Sequence, residues 1–335
     1  MKAVQVSKAG GPFEIVERPI PEPGPGQVLI KVEACGICHS DSIVKEGLFP
    51  GIPYPRVPGH EVAGKIEKLG PSNHRWKVGQ RVGVGWFGGC CHHCVPCREG
   101  EFHFCVTNQM TGITYDGGYQ EYMVAPEEAV APIPDTLNSV EAAPLLCAGI
   151  TTFNALRHSG AKAGDLVAIQ GIGGLGHLGI QFARHSGYRV VAISRGTDKE
   201  PLAKKLGAHH YIDDSNGKAA EELQKLGGAK VILATATSAK AISALAGGLG
   251  RRGKLLIVGA PADPLSVSAV GLLMKSQSVA GWNSGHSKDS EDTLNFSALS
   301  GIAPMVESYP LDQVEKAYQQ MMSNKARFRV VLKIV

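Results

Sequence analysis

With 335 residues, 43% hydrophobic and 19% charged, the chain has apolar material for more than one core, and at the usual ~100–200 residues per domain two domains are expected. Lys plus Arg number 34 against 30 for Asp plus Glu, and the residual +4 is spread along the chain, so neither nucleic acid nor a membrane is indicated as a partner. Eight cysteines, bunched in a chain of this length, do not make a disulfide framework.

The opening residues 1–6 lack the charged, apolar and small-residue regions of a secretory signal, and no later run approaches the ~20 apolar residues of a membrane span, so a cytoplasmic address is expected. Up to about Pro144 the sequence is rich in Gly, Pro and short β-branched runs such as 27–32 and 81–84, with turn signals like Pro23-Gly24-Pro25-Gly26 between them. This half reads as mainly β and loop-rich. Within it Cys38 lies in Cys35-Gly36-Ile37-Cys38-His39-Ser40-Asp41, and His60 in Val57-Pro58-Gly59-His60-Glu61-Val62. Taken singly, such a cysteine is more often a small core hydrophobe and such a histidine a satisfied core or surface residue.

Cys91, Cys94, Cys97 and Cys105 follow as C-x2-C-x2-C-x7-C. Four thiolates so close in sequence can close tetrahedrally on one ion, and zinc prefers that set where no substrate has to enter. A ferredoxin-type iron–sulfur run would place its fourth cysteine after three residues and follow it with proline. Here the gap is seven and Val106 follows. Cys90, His92 and His93 read as bystanders, since four sulfurs already saturate the ion. Cys147 stands alone in Pro144-Leu145-Leu146-Cys147-Ala148-Gly149.

From about Ala148 the pattern changes to alternating segments: a strand at 166–170, an amphipathic stretch to Ser186, a strand at 189–194 and a helix at 199–206. Such alternation marks βαβ units and a parallel sheet. It continues with a strand at 230–234, an Ala-rich helix at 239–249 and strands at 254–258 and 278–281, then breaks near Asn283. The chain therefore divides into 1–148 with 284–335, and 149–283. The tail carries a helix at 312–322 and a strand at 328–334, and it is too short to stand alone. No internal repeat is present.

Gly171-Ile172-Gly173-Gly174-Leu175-Gly176 is a G-x-G-x-x-G placed between a strand and a helix, where glycines let the backbone approach a pyrophosphate at the helix N-terminus. At the end of the next strand a carboxylate would bind the adenosine ribose and repel a 2′-phosphate. The chain has Ser194, Arg195 and, a turn later, Lys199. The missing acid and the added cations favour NADP; the alternative is that Arg195 points to solvent and NAD is used.

The three segments around Cys38, His60 and Cys147, with the cysteine lobe between the second and third, resemble the zinc-dependent medium-chain alcohol dehydrogenases over essentially the whole chain. The resemblance implies a Rossmann-type doubly wound parallel sheet plus a mainly β, GroES-like catalytic domain. It implies two zincs per subunit, a structural one on the four lobe cysteines and a catalytic one on Cys38, His60 and Cys147 with a fourth position open. A zinc of that kind lowers the pKa of a bound alcohol and polarises a carbonyl. By the same resemblance Asp41 orients His60, Glu61 lies behind the metal, and Ser40 accepts the alcohol proton. The relay histidine that many members carry five residues after the first ligand is Ile43 here.

His39 and Arg327 resemble contacts to the cofactor phosphates, Phe49 and Trp86 match positions that line the substrate cleft, and Trp282, at the end of the cofactor-domain sheet, is expected to close its other side. Large aromatics there favour a flat or slender primary alcohol over a bulky secondary one, and the resemblance implies an aliphatic, allylic or aromatic alcohol or aldehyde, among which the pocket residues do not separate. A homo-oligomer, tetramer or dimer, is expected from the same resemblance. Two alternatives stand beside this reading: a polyol- or formaldehyde-type dehydrogenase of the same superfamily, and a non-enzymatic zinc-binding interaction protein. The second leaves the glycine fingerprint and the second ligand set unexplained.

Overall fold

The computed structural model describes residues 1–73 and 75–334. They form two compact units, one of 1–147 with 285–335 and one of 148–284.

The first unit is built on the strand Gln27–Ile37. Its aliphatic side chains Val28, Ile30, Val32 and Ile37 are fully buried, as a run rich in β-branched residues at a sheet centre should be. It pairs antiparallel with Val62–Leu69 on one side. On the other it takes Tyr122–Pro126 along its first half and Arg329–Lys333 along its second. Arg81–Val84, Val130–Pro132 and Val306–Pro310 complete the sheet. The register sets Cys35 opposite Val62 and Val330 opposite Ile37. The residues that follow Ile37, precede Val62 and precede Val330 therefore meet at one end of the sheet.

The second unit is a six-stranded sheet in the order His210–Asp213, Arg189–Ser194, Leu166–Gln170, Ala229–Ala234, Leu249–Ile257, Ser278–Gly281, with every pairing parallel. Numbered along the chain this is 3-2-1-4-5-6, the doubly wound order with its switch point beside the first strand. Leu166–Gln170 is buried at every residue, which is why it reads as a continuous apolar run. The helix Gly176–His185 covers it, burying Leu178, Ile180, Phe182 and Ala183.

Several elements depart from the sequence expectation. The helix expected over 239–249 stops as Ala239–Ala244 and tightens into the 3-10 turn Leu245–Gly248. The strand expected from 254 begins at Leu249, across a register shift between Ala229 and Val231. Its early residues, Arg251 and Arg252, are exposed and conceal the strand in the sequence. The tail adds a helix at Ser287–Ser300 and a strand at Val306–Pro310. The helix expected at 312–322 is a 3-10 turn, Leu311–Gln313, followed by Val314–Met322.

Candidate metal and cofactor sites

At the end of strand Gln27–Ile37 the chain turns through Cys38 and the single 3-10 turn His39–Asp41. The Asp41 carboxylate, buried at 2% exposure, closes that turn by accepting the Cys38 backbone N–H through Oδ2 at 2.8 Å. Its other oxygen, Oδ1, lies 3.0 Å from His60 Nδ1. That bond fixes the imidazole with Nε2 facing the other way, and Nε2 is buried with no hydrogen-bond partner.

Cys38, His60, Glu61 and Cys147 each present one donor atom, all within 4.8 Å of one another. Cys147 arrives on the π-turn Leu145–Gly149, and its sulfur is 3.6 Å from that of Cys38. This contact holds the Cys38 thiol well below its usual pKa against the opposing effect of burial, and it pushes Cys147 well up, with burial adding to the shift. Burial acts to lower the His60 pKa, but the Asp41 carboxylate and the Cys38 sulfur together outweigh it and hold the imidazole well above its ordinary value.

Glu61 is fully buried, and burial pushes its carboxyl up to about 7 against the pull of Arg329. The Arg329 guanidinium, itself nearly inaccessible, pairs with Glu61 Oε1 and also donates to Ile37 O. Glu61 Oε2 has no partner. A buried imidazole nitrogen and a buried carboxylate oxygen left unpaired beside two sulfurs are costly without a cation. Two sulfurs and one imidazole are a donor set that suits zinc with a position left open.

The other expected residues of this unit differ in exposure. Ser40 is half-buried, His39 and Phe49 are exposed, and the Trp86 ring meets His60 edge-on with centroids 5.0 Å apart. Arg327 is exposed, with its N–H bonded to Glu307 Oε1 at 2.7 Å. The buried arginine at this end is Arg329. Tyr119, also not singled out in the sequence, donates its phenolic O–H to Asp41 Oδ2 at 2.8 Å. Neither Tyr119 nor Arg329 stands at a telling spacing from Cys38 or His60; sheet pairing brings them there.

In the cysteine lobe the sulfurs of Cys91, Cys94, Cys97 and Cys105 also lie within 4.8 Å of one another. The short helix Val95–Arg98 and the turn Phe102–Phe104 fold the chain back on itself. Backbone N–H groups point at the sulfurs: Cys94 N donates to Cys91 Sγ at 3.4 Å, and Cys91 N and Thr107 N to Cys105 Sγ at 3.3 and 3.4 Å. Burial works to raise the Cys105 thiol, yet these donors and the Thr107 hydroxyl bring it down to about 6. Such donors stabilise thiolate, the form that binds metal. Every cysteine is a free thiol. Cys90 and His92 touch each other at 3.6 Å, and His93 Nδ1 bonds Cys91 O at 2.7 Å; none of the three belongs to the four-sulfur group.

In the second unit the glycine run turns from Leu166–Gln170 into the helix, with Leu175 as its N-cap. Gly171 has φ +87°, and a Cβ on Gly176 would meet Gly171 O at 1.7 Å, so one position needs left-handed backbone and the other a close approach. A Cβ on Gly173 would meet nothing within 4 Å. Lys199 Nζ donates to Ile172 O at 3.0 Å, which brings this lysine to the glycine loop. Ser194 ends its strand beside Asp213, and Arg195 is exposed. Asp213, which the sequence reading passed over, spends Oδ1 on Gly196 N, Ser215 N and Ser215 Oγ. Trp282 stacks on His158 with centroids 4.8 Å apart and donates Nε1–H to Ser284 O.

Comparison with known proteins agrees with this chemistry. Residues 24–135 match the alcohol dehydrogenase GroES-like domain, and residues 174–298 the zinc-binding dehydrogenase domain. The alcohol dehydrogenase notN of Aspergillus sp. (strain MF297-2) is 44% identical over 332 residues, covering 99% of this chain and 97% of that protein. Among solved structures, a cinnamyl alcohol dehydrogenase from Sorghum bicolor superposes with TM-score 0.89 at 30% identity, covering 99% of this chain and 97% of that one. A CAD from Helicobacter pylori complexed with NADP(H) gives TM-score 0.85 at 28% identity, with 99% and 97% covered.

Proposed function

Because the chain belongs to the zinc-type medium-chain alcohol dehydrogenases, an NAD(P)-dependent oxidoreductase family, we propose that it interconverts a primary aliphatic, allylic or aromatic alcohol and its aldehyde, on a zinc held by Cys38, His60 and Cys147. The observation that carries this reading is the convergence of those three donors with His60 Nε2 buried and unpartnered. When bound, zinc supplies Lewis acidity toward a hydroxyl or carbonyl oxygen and the nicotinamide supplies or accepts the hydride.

The chain's own residues do the rest. Asp41 holds the His60 tautomer, Glu61 with Arg329 closes the buried side of the metal site, and Ser40, next to Asp41 in the turn, takes the alcohol proton. Trp86, edge-on to His60, and Phe49 border the substrate, with Trp282 as a further lining residue. A cinnamyl alcohol dehydrogenase among the similar structures supports an allylic or aromatic substrate.

A second zinc sits on Cys91, Cys94, Cys97 and Cys105, giving two per subunit. The dinucleotide lies along Gly171, Gly173, Gly174, Leu175 and Gly176, with His39 and Arg327 as further phosphate contacts. NADP is preferred, since Ser194 and exposed Arg195 stand where an acid would reject a 2′-phosphate, Lys199 is at the loop, and a similar structure holds NADP(H). The protein is a homo-oligomer, dimer or tetramer. Supporting this, Ser278–Gly281 is an edge strand of its sheet, and Val270, Leu273 and Met274 expose 66%, 78% and 80%. No helix among the described residues is long and apolar enough to cross a membrane, in keeping with a cytoplasmic address.

The test is oxidation of NADPH and NADH in parallel with an aromatic aldehyde, each repeated after exhaustive chelation. Faster NADPH oxidation that chelation abolishes is expected. Preference for NADH overturns the cofactor assignment alone, and turnover that survives complete removal of zinc overturns the mechanism.

A further inference from the structure

Among the described residues, Asp41 is the carboxylate that meets His60 Nδ1, yet a carboxylate at the end of a one-turn 3-10 helix has rotational freedom about its own side chain. Besides the Cys38 N–H, what restricts that freedom is Tyr119. Its O–H bonds Oδ2 at 2.8 Å, the oxygen that also accepts the Cys38 N–H, leaving Oδ1 in the direction of His60 at 3.0 Å. Tyr119 and Asp41 are at 0% and 2% exposure, so the bond between them is shielded from bulk solvent.

The backbone fixes Tyr119 in turn. Gly117 N, Gly118 N and Tyr119 N donate to Val57 O, Gly59 O and Pro58 O at 2.8, 3.0 and 3.1 Å, which aligns this segment with the three residues before His60. Gly59, at φ +102°, lets the ring lie against its Cα: a Cβ there would stand 2.5 Å from Tyr119 Cδ1. Phe13 also packs against the ring, with centroids 6.3 Å apart, and Phe13 itself is held edge-on by Tyr318 at 5.3 Å.

We propose that Tyr119 is a positioning residue for the metal-binding imidazole, acting through Asp41: it locks the carboxylate so that Nε2 of His60 stays aimed at the two sulfurs. The proposal rests on the reading of Cys38, His60 and Cys147 as ligands. Outer partners of a metal-bound histidine typically affect metal affinity by about 10–100-fold. Tyr119 stands one bond further out, and Asp41 keeps its Cys38 donor without it, so the lower end applies.

The experiment follows zinc release from the holoenzyme to a chromogenic chelator in the wild type and in Tyr119→Phe, which keeps the ring. The expected result is one zinc leaving at the wild-type rate, from the cysteine lobe, and the other leaving about tenfold faster. Cobalt(II) placed in the second site should show a shifted visible absorption band. Asp41→Asn should accelerate the same zinc, and Tyr119→Phe added to it should bring no further increase, as expected for two residues acting in series; this arm decides the matter if Tyr119→Phe alone folds poorly. Equal release rates with an unchanged cobalt spectrum would overturn the proposal, as would acceleration of both zincs together, which marks a role in the fold alone. A Cys147→Ser protein that retains both zincs overturns the ligand reading itself, and the proposal with it.

Discussion

The three glycines of the fingerprint are not equivalent in this structure, and the difference gives a sharp prediction. A methyl group on Gly176 would sit 1.7 Å from the carbonyl oxygen of Gly171, against a comfortable C···O separation of about 3.3 Å. Backbone must therefore move, and overpacking of that kind costs about 1–3 kcal/mol or more. For a unit of this size that lowers Tm by roughly 3–15 °C. Gly173 is the opposite case: a methyl there meets nothing within 4 Å and the φ is an ordinary one. Gly173→Ala should leave Tm unchanged or raise it slightly, because a compatible Gly→Ala change gains about 0.4–1 kcal/mol through the unfolded chain.

What Gly173→Ala should lose is the dinucleotide. If the pyrophosphate approaches the backbone through the open space over Gly173, as proposed, a methyl there should weaken binding at least tenfold, about 1.4 kcal/mol. Scanning calorimetry of both variants, with titration of NADH and NADPH into each, separates the two effects. Wild-type affinity of Gly173→Ala for both cofactors would refute the placement of the pyrophosphate, and a wild-type Tm for Gly176→Ala would refute the close-packing argument.

Three further outcomes are expected. Arg329→Met leaves Glu61 buried without its ion pair and should destabilise the first unit by about 3–5 kcal/mol, read as a lowered denaturant midpoint; a midpoint equal to wild type would contradict the buried pairing. Cys105→Ser removes the sulfur that accepts the Cys91 and Thr107 N–H groups, so the protein should lose one zinc per chain by atomic absorption while retaining dinucleotide binding. Arg195→Ala should raise KM for NADPH more than for NADH, and an equal change in both would mean that Arg195 faces solvent only.

The parts of this molecule that were legible in the sequence are those in which local pattern and tertiary role coincide. Leu166–Gln170 reads as a buried strand because all of it is buried, and Gly171 after it, at φ +87°, is required by a turn that follows directly. The helix Ser287–Ser300 was not legible, since its buried face is made partly of Ser290, Thr293 and Ser297, which carry no apolar periodicity; its signal was the His286–Asp289 capping box and Gly301 at φ +67°. Leu249–Ile257 was seen only in its apolar second half, because Arg251 and Arg252 are exposed on the first.

The same distinction runs through the site. Cys91 to Cys105 fall within one loop, so their spacing alone announces a four-sulfur group. Cys38, His60 and Cys147 are far apart in sequence and become a group only through the resemblance or the fold. Tyr119 and Arg329 reach Asp41 and Glu61 through the pairing of the 117–119 segment with 57–59 and of Val330 with Ile37. Register of that kind has no local signature in the sequence.

The most direct test of the central claim, that turnover runs on the Cys38, His60 and Cys147 donor set, is to measure aldehyde-dependent NAD(P)H oxidation, zinc per chain and cofactor Kd together in Cys147→Ser. The account predicts one zinc fewer than wild type, no turnover above background and an unchanged Kd. Undiminished turnover with an unchanged zinc count would contradict it.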